Sequence, residues 1–319
     1  MRGSGKISFG ECAEAMKIIT LTLNPAFDMH CLTDEFRPER ENFFEILSED
    51  AGGKGINISR ALNSFNVANT AIVVVGKENG GEYCKKLGQS SINYVPIFVN
   101  GRIRENIILH DKTEKETRVS FNGFTVSEEL FSEVVGEIEK IADGDTIITV
   151  TGSNPKGVNV SQVKTFVSEL QEKGAKVVID NRSFTLADIL EIKPFLIKPN
   201  REEISAFTGR EFSSRKEILS TAKLLHEKGV ENVLISLGKD GAVLACDEGE
   251  YTLSAPKVPV ISTIGAGDSM IAGFIYANIC GKTKKECLKY AVAFGTSACK
   301  QKGTLPPDRA DTDNIYSML

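Results

Sequence analysis

Residues 265–268 read Gly265-Ala266-Gly267-Asp268, a carboxylate set directly behind three residues with almost no side chain. Glycines let a backbone turn approach a ligand closely. The run Met270-Ile271-Ala272-Gly273-Phe274-Ile275 that follows reads as a buried helix, and Val258-Pro259-Val260-Ile261 ahead of the turn reads as a short strand. The turn then presents bare N–H groups at a helix N-terminus, and these, with the helix dipole, favour an anion. Negative charge building on a transferring phosphoryl group is a good match. An ionised Asp268 beside such an anion hole suits a general base that takes a hydroxyl proton. The plainer alternative is that Asp268 only caps a helix after a tight turn.

A second stretch, Ala51-Gly52-Gly53-Lys54-Gly55-Ile56-Asn57, sets three glycines around one lysine just ahead of a helix expected over 55–65. Gly53 lets a sugar or its phosphate lie against backbone, and Lys54 supplies a point charge. Asn57, on the first helical turn, offers both a donor and an acceptor to hydroxyls. The alternative is a flexible loop with a solvated lysine, but a double glycine at a helix start is costly and argues for use. In Asn24-Pro25-Ala26-Phe27-Asp28, after the first expected strand, Asp28 either accepts hydrogen bonds from sugar hydroxyls or is an ordinary turn residue.

Lys198-Pro199-Asn200-Arg201-Glu202-Glu203 follows a strand and opens a helix. Asn200 and Glu203 have the spacing of a capping box. The same two side chains suit a water network around Mg²⁺, which keeps waters and takes few direct carboxylates. In Ser236-Leu237-Gly238-Lys239-Asp240-Gly241, between two expected strands, glycine leaves room for a nucleotide or its phosphates; alone the segment is a hairpin turn with a glycine bulge. Two better-known phosphate loops do not match. Gly281-Lys282-Thr283 resembles the end of a Walker loop, but Tyr276 stands where its first glycine belongs. Gly265 and Gly267 begin a dinucleotide fingerprint, but Met270 occupies its third glycine position, which leaves a nicotinamide-dependent dehydrogenase as the rival from another class.

Strand-like and helix-like stretches alternate to hold these loops. Lys17–Leu23, Thr70–Val75, Thr146–Val150, Lys176–Ile179, Phe195–Ile197 and Asn232–Leu237 are rich in β-branched residues, with helical spacing near Glu82–Leu87, at Glu129–Ile141, and over 160–172, 200–208 and 214–227. Two helices around Gly281 close the chain's last third, from Gly267 to Lys300. This order predicts a mainly parallel sheet covered on both faces, with ligands at the carboxyl ends of its strands. Residues 24–50 are polar with no clear helix, and residues 103–122 alternate like an antiparallel hairpin around Asp111-Lys112-Thr113. Together they predict a small separate β-sheet acting as a lid, the alternative being an edge decoration.

At 41% hydrophobic and 25% charged residues, the 319-residue chain has an ordinary globular composition, enough for one large domain or two small ones. Its net charge of −5 argues against a general nucleic-acid surface but says little about phosphorylated small molecules. The seven cysteines, at 12, 31, 84, 246, 280, 287 and 299, include no CxxC pair, which points to free thiols in a reducing cytosol. With three histidines and no ligand spacing, a structural metal is not expected. No apolar run of about 18 residues marks a membrane span. Residues 1–16 lack the apolar stretch of a signal peptide and read as a leader or disordered extension, with Met16 a candidate start.

Taken together, N-P-A-x-D, G-G-K-G-x-N, G-S-x-P, K-P-N-x-x-E, S-L-G-x-x-G and G-A-G-D, in that order over roughly residues 17–305, resemble the ribokinase-like sugar kinases of the PfkB family. The stretches TLNPAFD (22–28), GGKGINISRAL (52–62), FNGF (121–124) and STIGAGDSMIAGFIYA (262–277) resemble its branch acting on phosphorylated ketohexoses. The resemblance implies a three-layer α/β/α domain over 17–319 with lid segments at about 24–50 and 103–122. It implies transfer of a phosphoryl group from ATP, with Mg²⁺, to the 6-hydroxyl of fructose 1-phosphate; tagatose 6-phosphate is the alternative acceptor.

The roles implied are these. Asp268 is the base, and Gly265, Ala266 and Gly267 form the anion hole. Asp28, Gly53, Lys54 and Asn57 hold the sugar phosphate, with Arg104 as a second cation for it. Ser236, Leu237, Gly238, Gly241, Lys198 and Asn200 line the nucleotide site, and Asn200 and Glu203 organise Mg²⁺ through water. A homodimer through the lid and a cytoplasmic location are implied as well, with neither nucleic acid nor membrane as a partner. A non-catalytic sugar-phosphate sensor would keep Lys54 and Asn57 but has no need of Asp268. Two stretches depart from the pattern: Asn154 stands where leucine is usual in Thr151-Gly152-Ser153-Asn154-Pro155, and Asp180-Asn181-Arg182 lacks the small residues common after the aspartate.

Overall fold

A computed structural model describes residues 16–111 and 116–319. The leader expected over 1–16, apart from Met16, and the hairpin turn expected at 111–113, apart from Asp111, lie outside the described residues. The β-branched runs assemble into one nine-stranded sheet. Across it the order is β13 (Gly249–Leu253), β12 (Ala242–Cys246), β11 (Asn232–Ser236), β10 (Leu196–Ile197), β9 (Lys176–Asn181), β8 (Thr146–Gly152), β1 (Lys17–Thr22), β4 (Thr70–Gly76) and β5 (Tyr94–Val99). From β5 to β11 every pair is parallel, and the β11–β12 and β12–β13 pairs are antiparallel. Central strands such as β1 and β4 are buried on both faces, which is why they read as continuous apolar runs rather than alternating ones.

Successive residues of these strands divide between two cores. Ile19, Ile148, Val177 and Ile235 point into one, and Ile18, Ile147, Val178 and Leu234 into the other. The first core is covered by α2 (Gly80–Gln89), α3 (Glu128–Glu139), α4 (Val160–Glu172), α5 (Leu186–Ile192), α6 (Arg201–Thr208) and α7 (Arg215–Glu227). The second is covered by α1 (Lys54–Asn63), α8 (Ala266–Ile279) and α9 (Lys284–Ala298), with α10 (Arg309–Met318) stacked on α9 through Tyr290 and Tyr316. Every residue of α8 from Asp268 to Ala277 is buried. A helix that is apolar all round is a core helix, and truncating Ile271 or Phe274 within it costs about 3–5 kcal/mol.

A second sheet of four strands, β3 (Glu45–Gly52), β2 (Ala26–Thr33), β6 (Arg104–Asp111) and β7 (Glu116–Ser120), accounts for the two segments outside the βα alternation. β6 and β7 are the expected antiparallel pair, and β2 runs parallel to β6 and antiparallel to β3. The polar stretch 24–50 therefore contains two strands. The strand expected at Val258–Ile261 does not form. Pro256 and Pro259 have no N–H for a ladder, β13 already closes that edge, and the Ile261 N–H donates instead to the Cys299 carbonyl at 2.8 Å. Val260 and Ile261 are left 60% exposed.

Candidate active site

The carboxyl ends of the parallel strands converge on one cleft of about 450 Å³. Thr22 and Asn24 enter it from the end of β1, Thr151 to Ser153 from β8, Asp180 and Arg182 from β9, and Lys198 and Asn200 from β10. The N-termini of α1 and α8 bring Lys54, Asn57, Gly265, Gly267 and Asp268. The small sheet supplies the opposite wall. The period of two along a strand puts Arg104, Asn106 and Ile108 of β6 on one face, with Asp28 of β2 and Arg118 and Ser120 of β7 beside them in register.

No side chain caps α8. Gly265 takes the cap position at φ 75°, a left-handed conformation that glycine adopts without strain. The Ala266 N–H makes only a 3.4 Å contact with the Thr263 carbonyl, so the start of the helix keeps the donor character an anion seeks. At Gly267 a Cβ would stand 2.9 Å from the Lys198 ammonium, so a side chain there would push that cation off the turn.

Asp268 is buried and its Oδ2 accepts a 2.8 Å hydrogen bond from Asn57 Nδ2. Lys54 Nζ lies 2.9 Å from Asp180 Oδ2, and Lys198 Nζ lies 3.9 Å from the same oxygen. Two carboxylates thus share two lysines, unequally. Burial pushes both carboxyls up. For Asp180 the attractions of Lys198, Lys54 and Arg182 win and hold it below its ordinary value. For Asp268 burial wins over Lys54, with the charge of Asp180 adding to it, and its affinity for a proton is raised. Burial opposes the charge of Lys54 too, but Asp180, Asp268 and Glu203 hold it protonated. Neighbouring groups are pushed apart in this way, Asp180 held as a carboxylate counter-ion to the lysines and Asp268 given the higher proton affinity.

At the small-sheet end, Asn106 Nδ2 donates to Asp28 Oδ1 at 2.7 Å. Burial raises the Asp28 carboxyl, partly offset by that bond and by Arg104. Buried polar atoms of five cleft residues, Thr22 Oγ1, Asn57 Oδ1, Arg104 Nε, Asn106 Oδ1 and Thr151 Oγ1, have no hydrogen-bond partner among the described residues. Orphans of this kind are rare in a packed interior, and so many along one cleft mark a site for a polar ligand.

Asp28, Gly53, Lys54, Asn57, Arg104, Lys198, Asn200, Glu203, Gly265, Gly267 and Asp268 all line this cleft. Ala266 shares the α8 turn but not the lining. Ser236, Leu237, Gly238 and Gly241 do not line it either. Ser236 ends β11 and the other three lie in the β11–β12 turn, tied to the cleft where the Ser236 N–H donates to the Pro199 carbonyl at 3.0 Å and Ser236 bridges Asn200. Asn200 and Glu203 form the capping box of α6, Glu203 Oε2 accepting from the Asn200 N–H at 2.9 Å, which leaves Glu203 Oε1 for other partners.

Two placements differ from expectation. Asp28 sits within β2 rather than in a turn beyond β1, because Pro25 ends one strand and the chain re-enters another at once. The turn before Asp268 overlies strand ends but is fed by loop, since Val258–Ile261 is not a strand. Of the other lining residues, Asp180 stands out in the sequence only as the start of a departing stretch, and Asn106 and Arg118 not at all. The first is a lone aspartate ending the apolar run of β9, a strand-end position that favours ligands. The other two lie on the alternating face of the hairpin.

The model of the pfkB family carbohydrate kinase matches residues 26–311. The chain is 31% identical to a 1-phosphofructokinase of Haemophilus influenzae over 95% of this chain and 97% of that one. It is 34% identical to a 1-phosphofructokinase of Borreliella burgdorferi over 90% and 93%. Among solved structures it resembles phosphofructokinase-2 from Escherichia coli in complex with substrates and products, with TM-score 0.90 and 28% identity over 95% of this chain and 99% of that one. It also superposes on Arabidopsis thaliana ribokinase, TM-score 0.75 at 20% identity over 95% and 99%, which shows the ribokinase-like fold. These likenesses set aside the dehydrogenase alternative, and the chain belongs to the pfkB family of carbohydrate kinases.

Proposed function

We propose that the protein transfers the γ-phosphoryl group of ATP to the 6-hydroxyl of fructose 1-phosphate, giving fructose 1,6-bisphosphate and ADP. The observation that carries the mechanism is Asp268, a buried carboxylate of raised proton affinity beside an uncapped helix N-terminus. Asp268 takes the proton of the hydroxyl as that oxygen bonds to the γ-phosphorus. The bond from that phosphorus to the β,γ-bridging oxygen breaks, and ADP leaves. The N–H groups at the start of α8 stabilise the charge on the moving phosphoryl group. Asn57 fixes the carboxylate through its 2.8 Å hydrogen bond.

Lys54 is assigned to the reacting end of the cleft rather than to the sugar's own phosphate, because its partners are Asp180, Asp268 and Glu203. Asp28, Gly53 and Asn57 hold the sugar, Arg104 meets its phosphate, and the small sheet serves as the lid. The turn Ser236–Gly241, with Lys198 and Asn200, takes the nucleotide. Glu203 Oε1, with Asn200 beside it, suits water-mediated contact with Mg²⁺, which when bound neutralises charge on the nucleotide phosphates. Among the described residues no helix is long and apolar enough to cross a membrane. The free thiols suit a reducing compartment, and we place the enzyme in the cytoplasm on that ground. The exposed Phe43, Ile46 and Leu47 on and beside the edge strand β3 suit pairing with a second copy through the lid.

Steady-state assays with ATP against fructose 1-phosphate, tagatose 6-phosphate and fructose 6-phosphate test the assignment. The highest kcat/KM is expected for fructose 1-phosphate. A higher value for either of the others would replace it as the substrate.

A further inference from the structure

The two stretches that depart from the family pattern meet in space. Asn181 Nδ2 donates to Asn154 Oδ1 at 2.9 Å, the Asn154 N–H donates to Ser183 Oγ at 3.0 Å, and the Ser183 N–H donates to Asn181 Oδ1 at 2.9 Å. The Arg182 N–H donates to the Gly152 carbonyl at 2.9 Å. The loop after β9 is thereby stitched to the loop after β8, and the backbone that carries Arg182 is fixed at the rim of the cleft.

Arg182 and Arg104 line the same cleft. Arg182 follows a strand of the large sheet, and Arg104 opens a strand of the small one. The Arg182 guanidinium makes no hydrogen bond or salt bridge among the described residues, and Arg104 Nε is buried without a partner. The two like charges feel each other: after burial and against the attraction of Asp28, Arg182 adds to the forces lowering the pKa of Arg104. Two guanidiniums with no hydrogen bond or salt bridge among the described residues, facing one cavity from different scaffolds, suit a dianion that each can hold in bidentate fashion.

We propose that Arg182 and Arg104 clamp the phosphate that the sugar already carries, one arginine from each sheet, and that Arg182 sets the preference for phosphorylated over free sugars. The proposal deepens the kinase reading of the site and rests on it. The dianion relieves the repulsion between the arginines and draws the small sheet toward the large one. An unphosphorylated ketose leaves that repulsion in place. Arg182 also borders an adjoining cavity of about 320 Å³ with Pro199, Asn200 and Glu203, so the competing role is contact with the nucleotide.

Arg182→Ala and Arg182→Lys separate these roles, and because the residue is exposed both variants should fold. With the phosphosugar and ATP varied in turn, Arg182→Ala raises the phosphosugar KM about 10–100-fold and leaves the ATP KM within about twofold. Arg182→Lys restores part of the loss, as a point charge without the fork. Asn154→Leu, which removes the interlock but keeps the arginine, raises the phosphosugar KM by a smaller factor at unchanged kcat. An unchanged phosphosugar KM in Arg182→Ala, or a larger rise for ATP, overturns the proposal. A wild-type protein that turns over no sugar phosphate sinks the kinase reading by itself. Calorimetric binding of inorganic phosphate then decides the clamp: weakening in Arg182→Ala supports it and unaltered binding overturns it.

Discussion

Asp268 and Arg104 face one cleft from scaffolds of different kinds. Asp268 starts a helix with no exposed residue from there to Ala277, and its carboxylate is held by Asn57 among two lysines and a second aspartate. Arg104 starts a strand in a four-stranded sheet whose edge strand β3 exposes Ile46 at 60% and Leu47 at 53%. Proton transfer depends on a fixed low-dielectric setting, because burial is what raises the basicity of Asp268. Holding a phosphate needs charge and reach but not full burial, and the proposed lid offers both from a sheet that is exposed along its edge.

The largest effect expected is at Asp268. Asp268→Asn lowers kcat by about 10²–10⁴-fold with ATP affinity nearly intact, read by steady-state kinetics and calorimetry. Its stability should move the other way. A folded-state pKa raised above the unfolded value stabilises below the unfolded value, and that stability is lost as pH rises through the folded one. Above its folded pKa the ionised Asp268 therefore weakens the fold, and in that range the variant should melt higher than wild type. A lower melting temperature would mean that the lysines already neutralise it.

Asp180 sharpens the contrast. Its folded pKa is depressed, so its contribution is present above the unfolded value and lost as pH falls through the folded one. Asp180→Asn leaves Lys54 and Lys198 without their nearest counter-charge and should destabilise the protein at pH 7 by about 3–5 kcal/mol in denaturant unfolding. Two neighbouring aspartates would then give opposite signs for the same substitution.

At the other end of the cleft, Arg104→Ala should raise the phosphosugar KM about 10–100-fold with little change in kcat or melting temperature. A large fall in kcat would show that the small sheet takes part in the chemistry. The smallest effect expected is in hydrogen exchange. Amides of β6 and β7 should exchange faster than those of β1 and β8 in the free protein and slow when phosphosugar is added.

How much of this was legible follows the same division. The turn at Asp268 and the stretch 51–57 stand out because glycine clusters at helix starts have few structural uses, and the apolar runs around them show which elements carry them. The capping box at Asn200 and Glu203 was visible for the same local reason. Asp180 was not, since a single aspartate at the end of an apolar strand carries no spacing signal and gains its role only when β8, β9 and β10 lie side by side. Val258–Ile261 had the composition of a strand, but whether a run pairs depends on a free sheet edge, which no local pattern encodes. The small sheet's register, which aligns Asp28 with Asn106, is likewise a long-range fact. Asn154 and Arg182 looked like unrelated departures until the loops that carry them were brought together.

The central claim is that Asp268 is the proton acceptor, and the pH dependence of kcat/KM tests it most directly when wild type and Asp268→Asn are compared over the acid range. The wild-type rate should fall on acidification through one ionisation above 3.8, and that limb should be missing from the residual activity of the variant. An acid limb that persists unchanged in Asp268→Asn would assign the ionisation to another group, such as the substrate's phosphate, and contradict the account.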